Sequence, residues 1–172
     1  MRDDSPITRL KDLKGKVIAF EARIAVTPNA TTNAGVICGV AEPASTANNA
    51  MVDDTLVPGA FDFLGFYTSA TETLKFGYRT AAGALVPITD VSQAMTSAQF
   101  YKCGFVFDPN KSDDCLTIYV DGALVATVSK ATLTANANFP NGTLYTPIAA
   151  VKTGAAAAQL LELDFLHCVS LR

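Results

Sequence analysis

The sequence predicts an all-β chain folded as an antiparallel β-sandwich. Short segments in which apolar and polar residues alternate recur at spacings of roughly 8 to 20 residues, and turn-forming residues separate them. No stretch has the apolar period of a helix longer than about two turns. The chain has 172 residues, of which 49% are hydrophobic, and this is enough for the core of one domain.

The first half of the chain supplies five of the predicted strands. In Val17–Val26 every second residue is apolar, and Glu21 and Arg23 lie on the opposite face. Ala34–Ala41 puts valine and cysteine on one face and two glycines on the other, where another backbone or side chain can approach closely. Three shorter strands are predicted at Ala60–Thr68, Thr73–Thr80 and Leu85–Thr89.

Asp121 and Gly122 predict a two-residue hairpin turn. Asp-Gly between alternating apolar runs is the strongest short hairpin signal, because a type I′ turn needs positive φ at both central residues. The turn fixes the register of the strands on either side of it. The predicted cross-strand pairs are Val120 with Ala123 and Ile118 with Val125.

A loop over Asp108–Cys115 is predicted to join this hairpin to the strand before it. This loop length brings the apolar faces of the two strands together, whereas a slip of one residue would turn every side chain to the wrong face. In this register Cys103 and Cys115 lie roughly 16 Å apart, at about 3.3 Å per residue, and this distance is too long for a disulfide. The matched faces are Cys103, Phe105 and Phe107 on one strand and Leu116, Ile118 and Val120 on the other.

The C-terminal part predicts two more strands, Pro147–Lys152 and Gln159–Leu171. In the last strand Glu162 and Asp164 lie opposite an apolar face. That face comprises Leu161, Leu163, Phe165, His167, Val169 and Leu171.

We expect residues 1–14 to form an N-terminal arm and residues 15–172 to form a single β-sandwich domain. The arm is polar and carries both charge signs, so it packs poorly by itself. No Pro- or Ser-rich tract is long enough to be a linker between two domains.

The charge of the chain argues against nucleic acid as a partner. Thirteen Lys and Arg stand against 16 Asp and Glu, a net charge of −3, whereas binding to a phosphate backbone draws on a basic surplus. No apolar run approaches the roughly 20 residues of a membrane span, and the start lacks the apolar segment of a secretory signal. We expect no membrane partner and synthesis in the cytoplasm.

The sequence offers no motif for catalysis or for a cofactor. It has no glycine-rich phosphate loop and no G-x-S-x-G elbow, and one histidine, His167, is too few for a usual zinc site. Asp108–Asp114 groups oxygen ligands that calcium accepts, but it lacks a bidentate glutamate and contains Lys111, so an ordinary hairpin loop is favoured. We expect no cofactor, no metal site and no catalytic residue. In a reducing cytoplasm four free thiols are expected, at Cys38, Cys103, Cys115 and Cys168.

Glu162 and Asp164 come nearest to a catalytic pair. With His167 they resemble the E-x-D-x-x-E run of laminarinase-like glycoside hydrolases. His167 stands where that run carries its acid/base carboxylate, and a retaining mechanism needs both carboxylates. The resemblance therefore implies a strand without glycosidase activity.

Two resemblances are carried by segments of this sequence. The hairpin Leu116–Thr127 resembles that of the concanavalin A-like and laminin-G-like jelly rolls. The span from Phe20 to Leu171 is similar, more narrowly, to small virion proteins of tailed bacteriophages. The remaining segments that carry this similarity are Phe20–Arg23, Ala60–Phe66 and Pro147–Lys152.

The resemblance implies a non-enzymatic capsid decoration, or cement, protein. Such a module lies on the outer surface of the virion, binds the major capsid protein and is often a homotrimer. A decorating module needs no catalytic centre, and symmetry-matched multivalency multiplies weak contacts. The alternative is a carbohydrate-binding, lectin-like module for attachment, which would use loops at one edge and exposed Tyr67, Tyr78 or Tyr145.

The candidate interface has two parts. Opposite the face of Phe105 lie Val106, Tyr119 and Leu124, which are more apolar than a solvated face should be. The arm can order on a neighbouring subunit. Its candidate contact residues are Arg2, Asp3, Asp4, Ile7 and Leu10.

Overall fold

The computed structural model describes residues 17–27, 34–43, 50–52, 55–69, 73–140, 145–153 and 159–171. Within these ranges the chain forms ten β-strands and one short helix. In chain order the elements are β1 (Val17–Thr27), β2 (Ala34–Ala41), β3 (Phe63–Thr68), β4 (Thr73–Arg79), β5 (Val86–Ala94), β6 (Tyr101–Phe107), β7 (Leu116–Val120), β8 (Ala123–Val128), α1 (Lys130–Ala135), β9 (Thr146–Thr153) and β10 (Leu160–Leu171).

The strands form two five-stranded sheets that pack face to face. The front sheet has the order β10-β1-β6-β7-β8, and the back sheet has the order β5-β4-β3-β2-β9. Neighbouring strands are antiparallel throughout. The predicted antiparallel β-sandwich is confirmed, and its architecture is that of a jelly roll.

Four aromatic rings connect the sheets through the core. Phe20 and Phe105 of the front sheet stack with ring centroids 5.3 Å apart. Phe66 and Phe76 of the back sheet meet edge to face at 4.9 Å, and Phe76 also meets Phe105 across the sandwich. All four side chains are almost fully buried. Because aromatic pairs have preferred geometries, these contacts hold the two sheets in one relative position.

The Asp121-Gly122 turn forms as predicted. Both residues have positive φ, 51° and 83°, as the type I′ turn requires. Val120 pairs with Ala123, as the sequence predicts. The Asp108–Cys115 loop gives the predicted register between β6 and β7. The confirmed pairs are Cys103 with Val120, Phe105 with Ile118 and Phe107 with Leu116.

One predicted pair in the hairpin is wrong. Ile118 pairs with Ala126 rather than with Val125, and the next residue, Tyr119, pairs with Leu124. Val125 is therefore the extra residue of a β-bulge in β8. Alternation alone does not show such an insertion, because the apolar residues of β8 continue through it.

A second bulge divides the face predicted for β10. Arg23 of β1 pairs with Phe165, and Ile24 pairs with Leu163, so Asp164 is the extra residue. The prediction of one continuous apolar face is therefore wrong. Leu161, Leu166 and Cys168 pack against the core, whereas Phe165, His167 and Val169 share the outward face.

The outer face of the back sheet is covered by the chain itself. Residues 50–52 and 55–62 lie against it, and Met51 and Phe61 join a second buried cluster there. A Cβ added to Gly35 would lie 2.7 Å from the Cβ of Leu56. The close approach predicted at the glycines of β2 is confirmed at this position.

The four cysteines carry free thiols, as expected from the sequence. Burial raises the pKa of Cys38 to about 12 and that of Cys168 to about 11. Burial also raises the pKa of Cys103 and Cys115. The thiolate is the reactive form, so these side chains act as small apolar groups at neutral pH.

The helix α1 is a single short element after β8. Ser129 caps its N-terminus by accepting a hydrogen bond from the backbone N–H of Thr132 at 3.2 Å. Within the described ranges, no helix has the length and apolar character needed to cross a membrane.

Candidate functional site

The outward side chains of the front sheet form aligned rows. Residues directly opposite each other on antiparallel strands share a face, with Cβ atoms about 4.5–5.5 Å apart. We use the name front face for the surface that two such rows form. One row is Val169, Ala19 and Val106 on β10, β1 and β6, and the other is His167, Glu21, Gly104, Tyr119 and Leu124 from β10 to β8.

A groove of about 340 Å³ opens on the front face around Gly104. Gly104 pairs with Glu21 on one side and Tyr119 on the other, and it places no side chain between them. A Cβ at this position would lie 3.2 Å from the carbonyl oxygen of Phe20 and 3.7 Å from Cγ of Glu21. The missing side chain therefore creates the floor of the groove.

The groove carries both charge signs and an imidazole. Lys102 Nζ lies 3.1 Å from Glu21 Oε1, and the two side chains are 42% and 44% exposed. An exposed ion pair of this kind contributes at most about 1 kcal/mol. His167 stands opposite Glu21 and stacks on Phe165 with ring centroids 5.1 Å apart. The groove therefore offers polar groups at its rim and aromatic faces on two sides.

The acidic residues of β10 are engaged with β1. Thr27 Oγ1 donates a hydrogen bond to Glu162 Oε1 at 2.9 Å. Arg23 Nη1 lies 2.7 Å from Asp164 Oδ2, and the Arg23 guanidinium also lies 4.5 Å from the centre of the Phe100 ring. Neither carboxylate lines the groove. Their described contacts join β10 to β1.

The loop that was considered for calcium contains an Asx turn. Asp108 Oδ1 accepts hydrogen bonds from the backbone N and the side-chain Nδ2 of Asn110, at 3.0 and 3.1 Å. Lys130 Nζ donates to the carbonyl oxygen of Pro109 at 2.9 Å, which brings a positive charge to the loop. In the part of the chain that the structure describes, no three His, Cys, Asp or Glu side chains are grouped as a metal site requires.

Three of the predicted interface residues come together on the front face. Val106 and Tyr119 are half-buried, and Leu124, which pairs with Tyr119, is 57% exposed. The predicted arm contacts lie outside the described residues. These are Arg2, Asp3, Asp4, Ile7 and Leu10.

Sequence reasoning missed the residues that shape the groove. Gly104 is a glycine inside a strand of larger residues, a signal of close approach by another group. Alternation places Glu21 on the face of β1 opposite the core, but nothing in the sequence shows which strands flank β1. Val169 was missed because the bulge at Asp164 reverses the outward face of β10.

The tyrosines predicted to bind a sugar are buried, so this expectation is wrong. Tyr67, Tyr78 and Tyr145 are at most 3% exposed. Tyr67 belongs to the cluster beneath residues 55–62, and Tyr145 donates a hydrogen bond to the buried Asp62 at 3.1 Å.

No protein-family model matches the chain, and no curated protein matches it. Solved structures do share its fold. The carbohydrate-binding module CBM66 from Bacillus subtilis is 14% identical, with a TM-score of 0.50, and the match covers 90% of this chain and 75% of that one. An alginate lyase from Corynebacterium sp. is 11% identical, with a TM-score of 0.50, and the match covers 95% of this chain and 61% of that one.

These matches show the fold. The chain is a two-sheet antiparallel β-sandwich of the jelly-roll kind. It spans less than two thirds of the lyase. A fold of this kind hosts many functions, so the fold alone does not define the function of this chain.

Proposed function

We propose that this protein is a non-enzymatic virion protein that decorates a phage capsid. In this proposal it binds the outer surface of the major capsid shell as a homotrimer and stabilises it. The observation that supports the proposal is the front face, where large apolar side chains remain exposed at both edges of the sheet. Leu124 on β8 is 57% exposed and Val169 on β10 is 49% exposed, at opposite edges of the sheet.

The two outer faces of the sandwich differ in a way that favours assembly. The back sheet is covered by residues of its own chain around Met51 and Phe61. The front face keeps apolar groups at its surface, and exposed apolar patches mark interaction sites. Each contact can be weak in a symmetric lattice, because several identical contacts act together. The net negative charge of the chain suits a protein that does not bind the packaged DNA.

Light scattering and particle binding test this proposal. The wild-type chain should have three times the monomer mass and should co-sediment with isolated capsid shells of the phage that encodes it. Leu124→Asp combined with Val169→Asp should abolish both properties, because each places a charge in the contact. Val52→Asp is the matched control, since Val52 is also apolar and 42% exposed but lies in the segment that covers the back sheet.

Two results would remove the proposal. One is a wild-type chain that is monomeric at all concentrations and does not bind shells. The other is its absence from purified virions by mass spectrometry. A double variant that still assembles would show that the front face is not the contact.

The groove favours a second candidate, a carbohydrate-binding module. Tyr119 and His167 offer ring faces for a sugar, and Glu21 and Lys102 offer hydrogen-bonding groups beside the Gly104 floor. The fold similarity to a carbohydrate-binding module supports this candidate as well. In this case too the chain binds without catalysis.

A glycan array distinguishes this candidate from the first. Binding should depend on Tyr119, so Tyr119→Ala should remove it while Val52→Ala leaves it unchanged. A silent array would contradict the carbohydrate candidate and leave the assembly proposal standing. A hydrolysis assay on β-glucan, with Glu162→Ala as the control, tests for an enzyme, and turnover that depends on Glu162 would overturn both candidates.

A further inference from the structure

We infer that the groove of the front face holds residues 1–16 of a second copy of this chain. The inference rests on the proposed assembly of identical copies and names the segment that makes the contact. In each subunit the groove would receive the N-terminal segment of a neighbour.

The spacing of apolar residues in the segment matches the spacing of strands beneath it. Ile7, Leu10 and Leu13 are three residues apart. In a polyproline II segment three residues make one turn and advance about 9.3 Å, so these side chains share one side. Alternate strands of a sheet are about 9.6 Å apart. A segment that crosses the strands therefore places the three side chains over every second strand.

The front face carries apolar groups on every second strand. Val169 on β10 and Val106 on β6 lie in one row, and Leu124 on β8 lies in the adjacent row, so the three residues are on alternate strands of the front sheet but not on one straight line. Smaller residues lie beside Val106, namely Ala19 in the same row and Gly104 in the next. Leu10 is the middle residue of the segment's three, so it meets Val106 whichever way the segment runs.

The charges of the segment and of the remaining chain are complementary. Residues 1–16 contain five Lys and Arg and three Asp, so the rest of the chain holds all of the net negative charge. Arg9 and Lys11 flank Leu10 in the sequence. Glu21 lies at the groove beside Gly104 in an ion pair with Lys102, and a basic side chain next to Leu10 would compete with Lys102 for this carboxylate.

The course of β1 favours a neighbour's groove over the segment's own. β1 begins at Val17, which is paired with Leu171 at the end of β10. The groove lies further along β1, at Ala19 and Glu21, so a segment bound in the groove of its own chain would have to reverse direction next to Val17. Sixteen residues reach about 50 Å when extended, more than the roughly 40 Å diameter of a domain of this size. A segment that binds the next copy also makes a head-to-tail contact that can close into a ring.

Disulfide trapping between separately tagged copies tests the inference. Leu10→Cys is prepared with one tag and Val106→Cys with another, and the two are mixed and mildly oxidised. We expect a product that carries both tags, in roughly tenfold or greater excess over the control, because docking holds the thiols at millimolar effective concentration. The control pairs Leu10→Cys with Asp114→Cys, an exposed position in the loop between β6 and β7.

Each remaining result overturns the inference. A double variant that forms only an internal link, with no doubly tagged product on mixing, would mean that the segment binds its own chain. Equal yields with Val106→Cys and Asp114→Cys would mean that the segment does not bind the groove. Light scattering of the wild type separates this inference from the proposed assembly. If the wild type is an oligomer but no disulfide link forms, only the docking of residues 1–16 is overturned. If the wild type is a monomer and no link forms, both the docking and the assembly are overturned.

Discussion

Phe105 and Phe76 meet edge to face across the sandwich, with ring centroids 5.4 Å apart and an interplanar angle of 70°. Phe105 lies between Gly104 and Val106 in β6, so the core ring sits directly behind the groove. The back sheet therefore supports the front face through aromatic contacts of the core, which also include Phe139 between Tyr78 and Phe107. The shape of the groove depends on core packing as well as on surface residues.

Removing the Phe76 ring should destabilise the fold strongly. Phe76→Ala deletes a fully buried ring that touches both Phe66 and Phe105, and we expect a loss of about 3–5 kcal/mol in the free energy of unfolding. Urea denaturation measures it. Phe165→Ala is the control, because this ring is half-buried on the outer face, and it should cost about 1 kcal/mol or less. Similar losses for the two variants would contradict the assigned core.

Filling the groove should cost little stability. In Gly104→Ala the new Cβ lies 3.2 Å from one carbonyl oxygen, so a shift of a few tenths of an ångström accommodates it. We expect a change of about 1 kcal/mol or less together with loss of ligand or partner binding. Gly39→Ala is the contrast, because its Cβ would lie 2.4 Å from the backbone oxygen of Leu64, and it should cost more than about 2 kcal/mol. Thermal melts that rank the two variants in reverse would show that Gly104 is not at an open surface.

Substitution of Gly122 should destabilise the hairpin turn through backbone conformation alone. Gly122 has φ of 83°, and nothing lies within 4 Å of a Cβ built there, so the cost of Gly122→Ala is purely conformational. We expect a loss of about 1–2 kcal/mol. Gly122→Asn should lose less, because Asn tolerates the left-handed region. Equal unfolding free energies for the two variants would argue against positive φ at this residue.

The buried thiols should make the fold lose stability at high pH. Burial raises the pKa of Cys38 from 9.0 to about 12. The unfolded thiol then ionises before the folded one, so this stabilisation is complete below pH 9 and disappears as the pH rises from 9 towards 12. One unit above the unfolded pKa, at pH 10, the loss is about 1.4 kcal/mol. Urea melts at pH 7 and pH 10 measure it.

The control for the alkaline prediction is Cys38→Ala. This variant should be less stable at pH 7, because it leaves a small cavity in the core, but the contribution of Cys38 to the pH dependence should be gone. If the variant and the wild type lose the same free energy between pH 7 and pH 10, the pH dependence comes from other groups.

The local pattern of residues was sufficient to predict most of the strands. Alternation located β1, the Asp121-Gly122 turn located the hairpin, and the length of the 108–115 loop gave the register of β6 with β7. These features depend on neighbours in the chain, and backbone geometry limits such neighbours to few arrangements. The same reasoning placed Val106, Tyr119 and Leu124 opposite the core.

The groove and the covered back sheet could not be predicted in this way. The bulges at Val125 and Asp164 change which side chains face outward, and they depend on how β8 and β10 pair with distant strands. Tyr67 and Tyr145 are polar enough to suggest a surface, yet both are buried, and Tyr145 is held there by Asp62, which lies 83 residues away in the sequence. Local alternation specifies that a strand has two faces. Which of those faces stays in water is set by long-range packing, because burial depends on the elements that the folded chain brings to each side.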